Sequence, residues 1–133
     1  MSIGTTRQIL TQISHALKFL HSRNYIHCDI KLENVMLKEV VGDASTERIT
    51  AKLADFGLAQ REAEAQRGGK TGGTLGYLAP EVVAGQPCST ASDIWSLGCL
   101  LYAVLTLSLP FSPQQMNKLA DSLQKLSFKS DEL

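Results

Sequence analysis

At 133 residues with 13 basic and 13 acidic side chains, the chain has the size of one ordinary domain and no net field to attract nucleic acid or an anionic membrane. A hydrophobic fraction of 44% excludes a disordered chain. The three cysteines, Cys28, Cys88 and Cys99, are odd in number and widely spaced, which fits neither a disulfide framework nor a zinc site and points to free thiols in a reducing, cytoplasmic compartment.

The opening MSIGTTRQIL has no basic segment followed by an apolar run, so no secretory leader is expected. Ile9, Ile13, Ala16, Leu17 and Leu20 recur at the spacing of one helix face and predict an amphipathic helix over about residues 5–22, ended by Asn24. His15, His21 and His27 recur every six residues, which scatters them around a helix and argues against a metal site. The stretch NYIHCDIKLENVML then sets Asp29, Lys31 and Asn34 close together among aliphatic neighbours. NVMLKEV and ITAKLADF read as two short strands around the polar hairpin loop VGDASTER.

Residues 60–76 carry five glycines, several charges and almost no large apolar side chain, and so predict an exposed, mobile loop. Within it, GGKTGG does not qualify as a phosphate-binding P-loop. Glu64 stands where the first glycine of that motif belongs, and REAEAQR cannot be the buried strand that leads into it.

Ser89 or Thr90 can cap a second helix over about 90–106, inside a run from Ile94 to Phe111 with 18 residues and no charge. That length would suit a membrane span. Ser96, Gly98, Thr106, Ser108 and Pro110, together with the lack of Lys or Arg between Lys70 and Lys118, favour instead a helix buried on all sides in a soluble core. Ser112 as cap, Pro113 in the first turn and Gln115 three residues after the cap open a last helix through about Leu123. The terminal SDEL resembles an endoplasmic-reticulum retrieval tail, but such a tail serves only a protein that has entered that compartment, so a chance match is expected.

Four short motifs stand in order: His27-Cys28-Asp29-Ile30-Lys31 with Asn34, Asp55-Phe56-Gly57, Ala79-Pro80-Glu81, and Asp93-Ile94-Trp95-Ser96-Leu97-Gly98. Taken singly, Asp29 and Asn34 could be turn formers, Lys31 a solvated charge and Asp55-Phe56-Gly57 a turn closing a strand. The ordered set resembles the C-terminal lobe of eukaryotic protein kinases of the serine/threonine type, from about Arg7 to Leu126.

The resemblance implies an α+β, mainly α-helical fold, the kinase C-lobe with a short β-hairpin and without the N-lobe. Residues 1–133 would be a partial kinase domain with catalytic loop 27–34 and activation segment 55–81, acting in ATP- and Mg2+-dependent phosphoryl transfer to Ser/Thr hydroxyls of a protein substrate. It implies neither nucleic acid nor membrane as partner and leaves the oligomeric state open.

In that family pattern Asp29 orients the substrate hydroxyl and accepts its proton, Lys31 sets a charge beside the phosphoryl group, and Asn34 and Asp55 hold magnesium. Thr71 and Thr74 belong to the activation and substrate loop. His27, Phe56, Gly57, Glu81, Asp93 and Trp95 take structural roles. Lys31 and the position of Thr74 in GGTLGYLAPE mark serine/threonine rather than tyrosine specificity.

Three departures accompany the match. Cys28 stands where many kinases carry an arginine that grips an activation-loop phosphate, so independence from that clamp is expected. A redox-sensing Cys28 is the weaker alternative, because no cysteine neighbours it in sequence to resolve an oxidised thiol. No glycine-rich loop or strand lysine covers the nucleotide, and all five arginines precede Glu81, leaving that carboxylate without its family partner in a later helix. The isolated chain is therefore expected to be marginally stable and to have little or no activity; a kinase-derived, non-catalytic interaction module is the alternative.

Overall fold

The computed structural model describes residues 2–40 and 48–131; the expected hairpin loop, VGDASTER, lies outside them except for Arg48. Helix α1 spans Ile3–Ser22, starting two residues before the expected position because the Ser2 side chain accepts the Thr5 N–H at 3.1 Å. Its buried positions Thr6, Ile9, Ile13 and Leu17 follow the 3-and-4 spacing. Asn24 lies past the cap with φ of 61°, a left-handed conformation that Asn tolerates better than most residues.

Strand β1, Tyr25–Ile26, leads into the His27–Asn34 loop, and a short 3₁₀ turn at Leu32–Asn34 opens β2, Val35–Val40. Strand β2 pairs antiparallel with β3, Arg48–Leu53, in a register that sets Val35 opposite Leu53. Helix α1 lies against β3, where the Gln12 side chain donates to Ile49 O at 2.7 Å and accepts from Ala51 N at 2.9 Å. That one amide satisfies a strand edge that would otherwise need a partner strand or water.

The 60–76 stretch departs from the expected mobile loop. Gln60–Arg61 forms β4, antiparallel to β1, and Glu62–Gln66 forms the one-turn helix α2, with Gln60 and Ala65 buried. Composition hid this because the segment is ordered by one alanine and by side-chain amide bonds rather than by large apolar residues. Helix α3, Pro80–Val83, then precedes α4, Thr90–Thr106.

Ser89 and Ser92 cap α4 reciprocally, each side-chain oxygen accepting the other's backbone N–H, at 2.8 and 3.2 Å. Cys99 and Leu100 of α4 join Ile9, Ile13, Leu17, Ile30, Ala51, Leu53 and Tyr77 in the main core. The helix is not buried on all sides as its composition suggests. Ser92, Asp93, Ser96, Cys99, Leu100 and Ala103 form one buried stripe, while Ile94, Tyr102 and Leu105 are 55%, 44% and 58% exposed. Among the described residues no helix is long and apolar enough to cross a membrane.

Helix α5, Pro113–Asp131, is capped by Ser112 and Gln115 and continues well past Leu123. No glycine or proline follows Leu123 to stop it. It docks on α3 through Gln124, whose side-chain N–H donates to Ala84 O at 3.0 Å. The result is a mainly helical α+β fold with two small two-stranded sheets.

Candidate active site

The loop after β1 is organised by a carboxylate far away in sequence. Asp93, 1% exposed in the first turn of α4, accepts the His27 N–H at 2.8 Å and the Cys28 N–H at 3.0 Å, and its Oδ2 lies 2.9 Å from His21 Nε2. A buried carboxylate is tolerable only with such donors. The two loop N–H bonds also hold Cys28 at φ of 69°, a conformation costing a non-glycine residue about 1–3 kcal/mol. His21 was not legible as part of this site; its only sequence signal is a histidine in the last turn of α1.

His27 is fully buried and joins the loop to the segment after β3. Its Nδ1 accepts the Asp29 N–H at 3.2 Å, so the ring proton sits on Nε2, which donates to Ala54 O at 2.9 Å. Phe56 packs edge-on against the ring, 5.1 Å between centroids. The next motif is thereby anchored to the first.

Around Asp29 three polar side chains converge. Thr74 donates its hydroxyl to Asp29 Oδ1 at 3.3 Å and accepts from Lys31 Nζ at 2.9 Å, and Lys31 Nζ lies 3.7 Å from Asp29 Oδ2. The Asn34 amide N–H donates to Asp29 O at 2.7 Å and reaches Asp29 Oδ2 at 3.3 Å. Lys31 therefore balances the Asp29 charge while Thr74 and Asn34 fix the carboxylate's orientation.

Asn34 also meets the second motif. Its backbone O accepts the Ala54 N–H at 2.8 Å, continuing the β2–β3 ladder and bringing Asp55 alongside. Asp55 has φ of 53° and is exposed; its Oδ1 accepts the Gly57 N–H at 3.2 Å. With the Asn34 amide nitrogen engaged by Asp29, nothing among the described residues donates to Asn34 Oδ1. A neutral oxygen from the turn before β2 and a carboxylate from the segment after β3 make a donor set suited to magnesium, which prefers oxygen ligands and keeps part of its water shell.

The glycine-rich stretch after α2 is gathered by a residue that sequence reasoning missed. Gln60 donates from Nε2 to Lys70 O at 2.8 Å, accepts the Lys70 N–H at Oε1 at 2.9 Å, and approaches Cys28 Sγ at 3.7 Å. Glycine is required at position 69, because a Cβ there would strike Gln60 Oε1 and come within 2.8 Å of Glu64 O. The only hint in sequence is a polar side chain at the buried register position of a short strand. Replacing Gln60 with alanine is expected to release the Gly68–Gly73 stretch, read as faster tryptic cleavage after Arg67 and Lys70; unchanged cleavage would show that the amide does not hold the segment.

The remaining candidates lie outside this cluster. Thr71 is exposed and takes no part in the Asp29 network. Trp95 stacks on Phe111, 5.6 Å between centroids. Glu81 is half-buried and has no ion-pair partner among the described residues.

The protein kinase domain profile matches residues 1–132. The chain belongs to the protein kinase family. It is 36% identical over 137 residues to serine/threonine-protein kinase 33 of Bos taurus, covering 97% of this chain and 28% of that protein. It is 37% identical over 124 residues to serine/threonine-protein kinase D2 of Homo sapiens, covering 92% of this chain and 13% of that protein. Against serine/threonine-protein kinase dkf-2 of Caenorhabditis briggsae it is 34% identical over 128 residues, 96% of this chain and 10% of that protein. This protein kinase segment thus spans between a tenth and about three tenths of the length of these relatives. Within the kinase family its histidine, aspartate, lysine and asparagine stand together in space as well as in sequence, with Cys28 in the second position of the loop motif.

Proposed function

We propose that the chain is the phosphoryl-transfer half of a serine/threonine protein kinase that uses ATP and Mg2+. The network joining Thr74, Lys31, Asp29 and Asn34 carries this reading. Asp29 would accept a hydrogen bond from the incoming Ser or Thr hydroxyl and take its proton as the oxygen attacks. Lys31 would set its ammonium against the transferring phosphoryl oxygens, relieved of full pairing with Asp29 by the 3.7 Å separation. Asn34 and Asp55 would hold the metal, which when bound neutralises charge on the phosphate oxygens.

Thr74 would keep Asp29 and Lys31 apart and in register, and His27, Phe56, Gly57 and Asp93 would hold the loops that carry them. Thr71 would face the solvent side of the activation segment, with Glu81 and Trp95 bracing the helices behind it. The Gln60 amide supports the expectation from Cys28 that this segment is gathered without a phosphate clamp. A protein substrate and a cytoplasmic setting accompany the reading.

The test is phosphate transfer from labelled ATP to serine-, threonine- and tyrosine-containing peptides by the full gene product. Transfer to Ser and Thr that disappears in Asp29→Ala is the expected result, whereas the 133-residue chain by itself should turn over little or no ATP. Transfer to tyrosine alone, or transfer indifferent to Asp29→Ala, would overturn the assignment. A full product that folds and binds partners but transfers nothing would return the protein to the non-catalytic reading.

A further inference from the structure

Cys28 and Cys88, 60 positions apart in the chain, meet in a small buried cluster. Ile26 and Ala65 complete it, with Leu58 and Val82 packed at its edge, and both cysteines are free thiols that are 7% exposed. The absence of a neighbouring cysteine in sequence is thus made good in space. Cys99 belongs to the other core, among Leu100, Tyr77 and the α1 side chains.

Surroundings give the two sulfurs different roles. Cys88 lies just before the Ser89 cap of α4 and lines a cavity of about 600 Å3 walled by Gly68–Gly73 of the activation segment and by Val82, Val83 and Gly85. Cys28 lies behind it, its backbone N–H on Asp93 Oδ1 and its sulfur against Gln60 Nε2. A small molecule entering the cavity therefore meets Cys88 first. Proximity to Cys88 and burial raise the Cys28 thiol above the usual range, while proximity to Cys28 lowers Cys88 against its own burial and the nearby Asp93 carboxylate. Because it faces the cavity, Cys88 is the sulfur that attacks, and Cys28 behind it the one that resolves.

We propose that Cys28 and Cys88 form a modification site, a dithiol that a hydroperoxide closes reversibly to a disulfide. In the first step the Cys88 thiolate attacks one peroxide oxygen: the S–O bond forms, the O–O bond breaks, and the departing oxygen takes a proton to leave as water or alcohol. In the second step Cys28 attacks the sulfenic sulfur: the S–S bond forms, the S–O bond breaks, and the released hydroxide takes the Cys28 proton to leave as water. The two sulfurs together lose two electrons and the peroxide gains them. A thiol reductant reverses the exchange through a mixed disulfide.

The bond would tie the residue immediately before Asp29 to the start of α4 and take the Cys28 sulfur from Gln60. Its formation does not depend on phosphoryl transfer.

The test is hydrogen peroxide on the full 133-residue chain, followed by alkylation and peptide mass spectrometry, with far-UV circular dichroism confirming that each sample is folded. The expected product is one intramolecular Cys28–Cys88 linked peptide, lost on dithiothreitol, with Cys99 still alkylated. Cys28→Ser should lose the linked peptide and instead accumulate a Cys88 sulfenic acid that dimedone traps; Cys88→Ser should leave Cys28 as a thiol. If either variant fails to fold, phenylarsine oxide on the unaltered folded chain decides, since one arsenical bridging both thiols should block their alkylation at a 1:1 ratio. Disulfides that include Cys99 or join two chains, a Cys88 sulfenic acid that persists beside an intact Cys28, or an arsenical that leaves both thiols free to alkylate would each overturn the proposal.

Discussion

Replacing Asp93 with alanine is expected to leave the chain unfolded under conditions in which the parent folds. The carboxylate is 1% exposed and satisfies the N–H groups of His27 and Cys28 while contacting His21. Each buried donor left unpaired costs about 1–3 kcal/mol. The two backbone donors together come to about 2–6 kcal/mol, a large share of the total stability of about 5–15 kcal/mol for an ordinary domain and enough to unfold a marginally stable chain. Asp93→Asn should be milder, because the amide keeps one acceptor oxygen but turns N–H groups toward one of the loop donors. Urea denaturation followed by circular dichroism checks the order: a lowered midpoint with an unchanged slope for Asn, and no cooperative transition for Ala. An alanine variant with the parent's midpoint would show that the loop does not depend on this anchor.

Asp29→Asn is expected to reduce kcat of the full gene product by about 10²–10⁴-fold, the range usual for loss of a positioned general base, with little change in KM for ATP. Asparagine preserves the shape, the bond from Asn34 to the backbone oxygen and one side-chain acceptor for Thr74, but it gives up the acceptor facing Asn34 Nδ2 and cannot take the proton. Thr74→Val should cost less, about tenfold, because it removes one hydroxyl shared between Lys31 and Asp29, a loss of about 1–1.5 kcal/mol. Thr74→Ser should restore most of that rate. Steady-state kinetics on the three variants checks the ranking, and an Asp29→Asn enzyme as fast as the parent would remove Asp29 from the chemistry.

Helix α1 was legible because its apolar residues repeat at helical spacing and that spacing is a property of the chain itself. The caps at Ser89 and Ser112 were legible for a similar reason, each being a side chain bonding a backbone group three residues away. The α4 periodicity misled: an uncharged run records how much apolar surface is available and not how much is covered, so a helix with Ile94, Tyr102 and Leu105 exposed looked wholly buried. In the 60–76 stretch, glycine and charge content concealed a strand, a helical turn and the buried Gln60 amide.

By itself the sequence determined the chemistry on offer: the ordered motifs around Asp29, Asn34, Asp55, Glu81 and Asp93, the helix-forming periods, and a cysteine in place of a phosphate-gripping arginine. Only the tertiary structure decided which distant groups meet. Asp93 reaches the His27–Cys28 backbone across separations of 65 and 66 residues and His21 across 72, Thr74 reaches Asp29 across 45, and Cys88 comes to lie beside Cys28. Local patterns are written by bonds and repeats a few residues long. These pairings arise only when the helices and the two small sheets close around the two hydrophobic clusters, and no short stretch of the chain encodes that closure.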